Sequence, residues 1–406
     1  MPNRRTFLTQ MAAGAAAVAS PALAASRVIG ANDRIGFALI GGGARGKEIF
    51  RAAMKCKSVE PVAVADVYTR RLDEVNAIAP GIHTYQDYRK LLEDKAVDVV
   101  LIATPQHQHV LSFVAAIQAG KDVYQEKTLA FNPGHARRMR QALNGSGRVV
   151  QVGMQMNSGE GLRKAREIIA SGKLGELTAV QAHHFRNAPY GGWLRQVPPD
   201  CDPQHIDWTL FQAETKPYPF DPQRYMNWRF YWDYSGGNVF ENMVHQVGFW
   251  TAALDLDVPN MVNMTGGNFR SPQMQVPDTM NVSMSHSGKL IFNWISMFGN
   301  DYFGETDDYA FGSQGTLIHR QSDHVEFSPQ PGHSVHSAAA PATADAEYLD
   351  FTGRHMQNFF DCVRSREATN APFEIGFRAA VACQMAITSY RRQTPVHWDP
   401  ATEEII

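Results

Sequence analysis

The chain of 406 residues has few cysteines, no excess of charge of one sign and no long apolar run after its first residues. Its four cysteines, at 56, 201, 362 and 383, are scattered without C-x-x-C spacing, so neither a metal site nor a disulfide framework is indicated. Lys and Arg number 38 against 40 Asp and Glu, and no basic cluster stands out, which argues against a nucleic-acid partner. Beyond residue 25 no apolar stretch reaches membrane length, so we expect no membrane partner for the mature protein.

The first 25 residues have the order of parts that is typical of a twin-arginine export signal. A basic RRTFL motif at 4–8 is followed by an apolar, Ala-rich run at 11–19 and by the small residues of an A-L-A cleavage site at 22–24. The apolar run is too short to span a bilayer. We therefore expect residues 1–25 to be removed and the mature protein to be periplasmic or otherwise extracytoplasmic.

A glycine-rich turn follows the first apolar strand. Gly41, Gly43 and Gly46 form a G-x-G-x-x-G between the predicted strand 34–40 and a predicted helix at 47–55. Glycines in this strand–turn–helix context let the backbone approach a pyrophosphate, and the helix N-terminus attracts its charge. The pattern predicts a Rossmann domain that binds a nicotinamide dinucleotide.

The residue after the second predicted strand supports that prediction. Asp66 follows the apolar run 61–65 and lies 20 residues beyond Gly46, where an acid can bond the ribose hydroxyls of the adenosine. A carboxylate there disfavours a 2′-phosphate, so NAD is the expected cofactor. NADP stays possible, because Arg45 in the turn and Arg70 and Arg71 after it could bind a phosphate, or could be solvated charges of the helix.

The loop after a further strand is expected to face the same cofactor. The apolar run 99–103 ends at Thr104 and Pro105, and His107 and His109 follow. Loops at the carboxyl ends of parallel strands line the dinucleotide crevice. The two histidines either touch cofactor or substrate or support the residues that do.

Several segments together resemble the Gfo/Idh/MocA family of glucose-fructose oxidoreductases, inositol dehydrogenases and rhizopine catabolism proteins. They are the glycine turn, ATPQHQH at 103–109, the pair Glu126-Lys127, WRFYWDYSGG at 228–237 and HMQNFFDCVRSR at 355–366. The resemblance covers nearly all of the mature chain. It implies an α/β fold, with an N-terminal Rossmann domain at 33–150 and a C-terminal α+β domain at 151–406. The second domain would contain a large open, mostly antiparallel sheet that forms homo-oligomer contacts.

The resemblance also implies the catalytic residues. Lys127 would lie beside the nicotinamide, with Glu126 at the cofactor, and Thr128 replaces the family's usual proline. An ammonium there stabilises negative charge that develops on a substrate oxygen. His245 would act as the general base, and Glu241, four residues earlier, stands where the family has Asp.

Glu241 and His245 lie on a predicted helix at 238–254, and the residues before it combine hydrogen-bond donors with flat apolar faces, which suits a polyhydroxylated ring. They are Arg224, Tyr225, Trp228 and Arg229, followed by Tyr231 and Trp232. The same cluster could instead belong to the core. Asn157 and residues 183–186 are weaker candidates. Alternating patterns predict strands at 177–184, 261–270, 280–286, 289–298, 310–320 and 324–327.

We therefore expect an exported NAD(P)-dependent oxidoreductase that acts on a sugar or cyclic polyol with a tightly bound cofactor. One alternative is an NAD-dependent glycoside hydrolase that oxidises its sugar transiently. Another is a non-catalytic sugar-binding protein on a Rossmann scaffold. The dehydrogenase-like pair Glu126-Lys127 argues against the hydrolase, and the presence of both Lys127 and His245 argues against the non-catalytic protein.

Overall fold

The computed structural model describes residues 34–188, 192–286, 288–302, 307–320, 323–331 and 350–406. The predicted export signal at 1–25 lies outside these residues. Within them the chain forms an N-terminal parallel sheet and a second, larger mixed sheet, which confirms the predicted fold class.

Six parallel strands form the N-terminal sheet, in the order β3-β2-β1-β4-β5-β6. Their bounds are β1 Ile35–Ile40, β2 Val59–Ala65, β3 His83–Tyr85, β4 Val99–Ile102, β5 Asp122–Gln125 and β6 Val150–Val152. The central strands β1 and β4 are buried along their whole length. A parallel sheet covered on both faces needs such continuous apolar runs, which is why both were readable from the sequence.

The helices of this domain alternate with its strands along the chain, and the side chains of Asp87 and Asn132 cap the two helices that begin directly after them. Their bounds are α1 Ala44–Met54, α2 Thr69–Ile78, α3 Tyr88–Leu92, α4 His109–Gln118 and α5 Pro133–Leu143. The start of α5 is fixed by Asn132, whose side chain accepts a hydrogen bond from the backbone N–H of His135 at 2.9 Å, and by Pro133 in the first turn. Helix α1 begins after Gly43 without a side-chain cap.

Over the described part of the chain the second sheet contains ten strands. Nine follow the order β14-β13-β12-β7-β10-β9-β8-β15-β16, and β11 pairs with β7. Their bounds are β7 Leu177–Asn187, β8 Met261–Gly267, β9 Thr279–His286, β10 Leu290–Met297, β11 Gly299–Asn300, β12 Asp307–Gly312, β13 Gly315–Arg320, β14 Val325–Pro329, β15 Val396–Asp399 and β16 Glu404–Ile405. All pairs except the parallel pair β7–β10 are antiparallel.

Helices at 160–170, 244–254 and 373–392 pack against this sheet, and three further helices of the described residues lie elsewhere in the second half of the chain. Their bounds are α6 Glu160–Ala170, α7 Trp208–Gln212, α8 Pro222–Met226, α9 Val244–Leu254, α10 Phe351–Ser365 and α11 Phe373–Arg392. Helix α9 is preceded by a wide π turn at Val239–Met243. Trp250 of α9 and Trp294 of β10 are fully buried in the core between helices and sheet. This packing fixes α9, and with it the helical segment predicted to carry the catalytic histidine.

The structure differs from the sequence-based predictions in one strand and in the extent of the N-terminal domain. The run predicted as one strand at 310–320 is a hairpin of β12 and β13, because Gly312 and Gly315 bracket a turn. Helix α10 packs its Phe359 and Phe360 into the core of the N-terminal domain, where Phe360 lies 5.8 Å from the Phe37 ring. The N-terminal domain is therefore completed by a segment more than 200 residues beyond its last strand.

Candidate active site

The glycine turn has the geometry that a pyrophosphate requires. Gly41 has φ +99°, and a Cβ there would lie 2.8 Å from the carbonyl group of Ala103. A Cβ on Gly46 would lie 1.9 Å from the carbonyl oxygen of Gly41. A Cβ on Gly43, by contrast, would lie 3.8 Å from Nη1 of Arg71. The first and third glycines thus let the turn close, and the second leaves the N-terminus of α1 open to an anion.

Asp66 lies at the end of β2 with both carboxylate oxygens held by backbone donors. The N–H of Gly42 donates to Oδ2 at 2.7 Å, and the N–H of Tyr68 donates to Oδ1 at 2.9 Å. The side chain borders a cavity of about 450 Å³ that also reaches Gly41, Thr104 and Pro105. This cavity follows the glycine turn, so the residues present fit the adenosine half of a dinucleotide.

The three arginines that could bind a 2′-phosphate point in different directions. Arg45 turns inwards, and its Nε donates to Oε1 of Glu126 at 2.8 Å. Arg70 donates to Asp200 at 2.7 Å on the surface. Arg71 is the one of the three that lines the cavity, with Nη1 3.7 Å from Oδ2 of Asp66.

His109 joins the loop after β4 to the segment that carries the catalytic lysine. Its Nε2 lies 2.9 Å from the carbonyl oxygen of Thr104, and its Nδ1 lies 2.8 Å from that of Thr128. Burial lowers the pKa of His109, although the backbone carbonyls oppose this effect. The ring is buried between two loops and holds them together, while Thr104 and Pro105 line the cavity.

Lys127 is held by Glu241 across the domain boundary. Its Nζ donates to the carboxylate Oε2 at 2.7 Å and to the backbone carbonyl oxygen of Glu241 at 2.9 Å. Gln106 donates to the other carboxylate oxygen at 2.6 Å, and Nε of Arg229 lies 3.1 Å from it. Burial raises the pKa of Glu241, but Arg229 and Lys127 outweigh burial and bring it down to about 2. The carboxylate is therefore ionised and holds the lysine at a fixed place.

The residue after Lys127 is tied to the same helical segment. The peptide bond between Lys127 and Thr128 is cis, and the Thr128 hydroxyl donates to the carbonyl oxygen of Phe240 at 2.7 Å. Thr128 is fully buried. Where the resembled family has proline, this chain has a hydrogen bond to the residue beside Glu241.

His245 follows Glu241 on the same face and borders a second cavity, of about 310 Å³. Burial lowers the pKa of His245 well below 6.5, and the positive charges of Lys127 and Arg45 lower it further. The imidazole is therefore neutral near pH 7 and able to accept a proton. The cavity is also lined by Gln155, Met156, His184, Arg186, Asn242, Gln246, His319, Phe351 and Thr352.

The four predicted substrate residues divide into two groups. Arg229 and Trp228 lie at the catalytic cluster, since Arg229 faces Glu241 and its guanidinium lies 4.2 Å from the Trp228 ring. Arg224 pairs with Asp233 at 2.9 Å, and Tyr225 is buried in the wall of the Asp66 cavity. The structure does not bring these last two to Lys127.

Sequence reasoning passed over several residues of the second cavity. Asn242, Gln155 and Thr352 border it, yet no local pattern marks them. Of these three, Asn242 could have been predicted as a site residue, because it lies between Glu241 and His245 on the predicted helix. Within the described ranges no group of His, Cys, Asp or Glu is arranged to hold a metal ion, and no helix is both long and apolar enough to cross a membrane.

Comparison with known proteins places this geometry in context. Residues 35–154 match the model of the Gfo/Idh/MocA oxidoreductase family with an NAD-binding Rossmann fold. The chain is 34% identical to an inositol 2-dehydrogenase of Salmonella typhimurium over 137 residues, which are 33% of this chain and 41% of that protein. It therefore spans about two fifths of the length of such curated relatives.

Solved structures match over a longer part of the chain. Levoglucosan dehydrogenase in complex with NADH superposes with a TM-score of 0.67 at 18% identity, over 90% of this chain and 99% of that one. The WlbA dehydrogenase of Bordetella pertussis, in complex with NADH and UDP-GlcNAcA, superposes with a TM-score of 0.69 at 17% identity, over 90% and 98%. By the sequence of its N-terminal domain the chain is thus similar to the Gfo/Idh/MocA oxidoreductases, and by its overall fold it resembles their two-domain dehydrogenases.

Proposed function

We propose that this protein is an NAD-dependent oxidoreductase that transfers hydride between a hydroxyl-bearing carbon of a sugar or cyclic polyol and a nicotinamide cofactor. The observation that carries the proposal is the bond of Lys127 to Glu241, with a neutral His245 four residues beyond Glu241 that feels the charges of Lys127 and of Arg45 in the glycine turn. The relatives that are named as inositol and levoglucosan dehydrogenases support the substrate class.

In the oxidation direction each side chain has one task. The neutral imidazole of His245 takes the proton from the substrate hydroxyl. Two of the three N–H groups of Lys127 are directed at Glu241, which leaves one for the substrate oxygen as its negative charge develops. Bound NAD would accept the hydride at its nicotinamide ring, and the substrate leaves as a ketone or lactone.

Glu241 acts on the substrate through Lys127. Its ionised carboxylate is fixed by Gln106, Arg229 and Lys127, so it holds the ammonium without titrating near neutral pH. Glu126, one residue before Lys127, is likewise a buried carboxylate that is bound to a basic side chain. Its carboxylate binds Arg45 and packs against Gly153, where a Cβ would lie 2.9 Å from it.

NAD is the proposed cofactor because Asp66 occupies the ribose position, and NADP stays possible because Arg71 lines the same cavity. Export by the twin-arginine route is supported by the RRTFL motif at 4–8, and that route carries folded, cofactor-loaded proteins. An exported enzyme would have to bring its dinucleotide with it, so we propose that the cofactor is tightly bound.

Assembly into a homo-oligomer through the second sheet is also proposed. One face of that sheet packs against α9 and α11, whereas the opposite face carries apolar side chains such as Ile291, which is 50% exposed. A second copy of the chain placed against this face would remove those side chains from water.

Mass spectrometry of the purified full-length protein, followed by incubation with a panel of sugars and polyols, tests the proposal. We expect bound NAD(H) and a keto product that forms together with reduced cofactor. Lys127→Ala and His245→Ala should each lower turnover by about 10²-fold or more while leaving the dinucleotide bound.

Other outcomes point to the alternatives. Release of an aglycone without net oxidation of the sugar would identify a glycoside hydrolase instead. Sugar binding without turnover in the parent protein, unaltered in the two variants, would identify a binding protein.

A further inference from the structure

The cavity beside Asp66 has walls from both domains. One side consists of Rossmann residues at the ends of β1, β2 and β4 and on α4. The other side consists of residues that lie about 100 positions further along the chain, in and around α7. The cavity residues of this second group are Asp207, Thr209, Leu210, Phe211, Ala213, Glu214 and Tyr225.

The backbone attaches this segment to the Rossmann domain. The N–H of Asp207 donates to the carbonyl oxygen of Val67 at 2.9 Å, and the N–H of Thr69 donates to that of His205 at 3.0 Å. Tyr68 forms an antiparallel bridge with Ile206 between these two bonds. The chain just after the ribose-binding carboxylate is thus paired directly with the segment 205–207.

Side chains of the loop after β4 attach the other end of the segment. Gln108 Nε2 donates to the carbonyl oxygens of Phe211 at 2.7 Å and of Leu210 at 3.1 Å. His107 Nε2 lies 2.7 Å from the same Phe211 oxygen. Burial lowers the pKa of His107 to about 4, so the ring stays neutral and can donate from that nitrogen.

An aromatic cluster supports the segment from behind. Phe211 lies 4.9 Å from the ring of Tyr225, which in turn meets Tyr68 edge to face at 5.7 Å. The guanidinium of Arg71 lies 5.0 Å from the Tyr225 ring. Because α7 is also capped by Asp207, which accepts from the N–H of Leu210 at 2.8 Å, the segment is a packed wall of the cavity.

We infer that residues 205–214 form a retaining wall over the adenosine half of the dinucleotide site and set how slowly the cofactor leaves. The inference rests on the proposed function, since it takes the ligand to be a nicotinamide dinucleotide. Val67 and Leu111 on the Rossmann side and Leu210 on the wall line the cavity and would supply apolar contacts for an adenine. For the cofactor to leave, the wall must first separate from Val67, Thr69 and Gln108.

Release kinetics of NADH from the holoprotein test this inference. The double variant Thr209→Ala/Leu210→Ala removes two side chains that the wall presents to the cavity. Gln108→Met keeps a side chain of similar length but removes the two hydrogen bonds that Gln108 Nε2 donates to the wall. We expect each to speed release of NADH, and of ADP-ribose, by about tenfold. Leu194→Ala, an exposed leucine outside the cavity lining, is the matched control and should leave both rates unchanged.

Reduced nicotinamide mononucleotide, which has no adenosine, serves as the second probe and should leave all variants at the parental rate. NADH release at the parental rate in both wall variants would overturn the inference. An equal acceleration for the mononucleotide would do so too, because it would mean a general loosening of the fold. If the parent binds no dinucleotide at all, the proposed function itself is wrong.

Discussion

At the scale of single residues, the candidate centre works by fixing the charge of each group. Glu241 is ionised because Arg229 and Lys127 outweigh its burial, and Lys127 stays beside it because the carboxylate and the backbone carbonyl both accept from Nζ. His245 is in the opposite condition, since burial and the nearby positive charges disfavour its protonated form. An ionised carboxylate that holds the lysine and a neutral base therefore coexist four residues apart on one helical segment.

The pH dependence of oxidation follows from this arrangement. A general base works only when unprotonated, and the pKa of His245 lies well below 6.5, because of burial first and of Lys127 and Arg45 second. We expect kcat/KM for sugar oxidation to stay level from pH 7 down past 6.5 and to fall only at lower pH. His245→Gln should remove that acid limb along with about 10²-fold of the rate. A limb in the parent protein centred at or above pH 6.5 would contradict the assignment.

At the scale of elements, β1, the glycine turn and α1 form one unit whose glycines have different tasks. Gly46 lies where the first turn of the helix passes the carbonyl oxygen of Gly41, so its lack of a side chain is a packing requirement. A Cβ on Gly43 would lie 3.8 Å from its nearest neighbour among the described residues, so this position has room for a ligand. The two positions can be separated experimentally.

Gly46→Ala should destabilise the fold and weaken NADH binding together, because its Cβ would lie 1.9 Å from the Gly41 oxygen and the turn must shift. The higher helix propensity of alanine, about 1 kcal/mol, does not offset such a clash. Gly43→Ala should leave the Tm unchanged and weaken NADH alone. Thermal melts of the cofactor-free protein and fluorescence titrations with NADH give the two readouts. An unchanged NADH affinity in Gly43→Ala would refute the ligand-facing role of this glycine.

At the scale of the whole molecule, residues of both domains contribute to the same hydrophobic cores, and both domains contain buried histidines. Helix α10 completes the N-terminal domain, and the wall at 205–214 closes the cavity beside Asp66. Burial lowers the pKa of several histidines to about 4, although backbone acceptors or nearby carboxylates oppose this at each site. These are His107, His135, His286 and His355.

Acid should therefore weaken the fold while Glu241, whose pKa Arg229 and Lys127 bring down to about 2, is still ionised. A histidine with a folded-state pKa near 4 and an unfolded-state pKa near 6.5 binds its proton more readily in the unfolded chain. Its contribution is full above pH 6.5 and is lost as pH falls towards 4, at up to about 1.4 kcal/mol per pH unit for each such histidine. Urea unfolding at pH 7, 6 and 5 measures this, with His107→Gln as the variant expected to flatten the slope. Equal unfolding free energies at the three pH values would show that these rings are not buried as neutral groups.

The sequence by itself determined the fold class and the local parts of the site. Runs such as 35–40 and 99–102 predict buried parallel strands because both faces of each strand are covered, so every residue must be apolar. The glycine turn and Asp66 could also be predicted from the sequence. Their chemistry depends on residues close together in the chain.

Only the tertiary structure decided which distant residues meet. Arg229 and Gln106 converge on Glu241 from different segments, and Tyr225, predicted at the substrate, lies instead in the wall of the Asp66 cavity. Likewise the wall at 205–214 and helix α10 reach the N-terminal domain from far along the chain. A local pattern records how a segment coils and which face it buries, but not the partner of that face, and such partners are fixed only when the whole chain has packed.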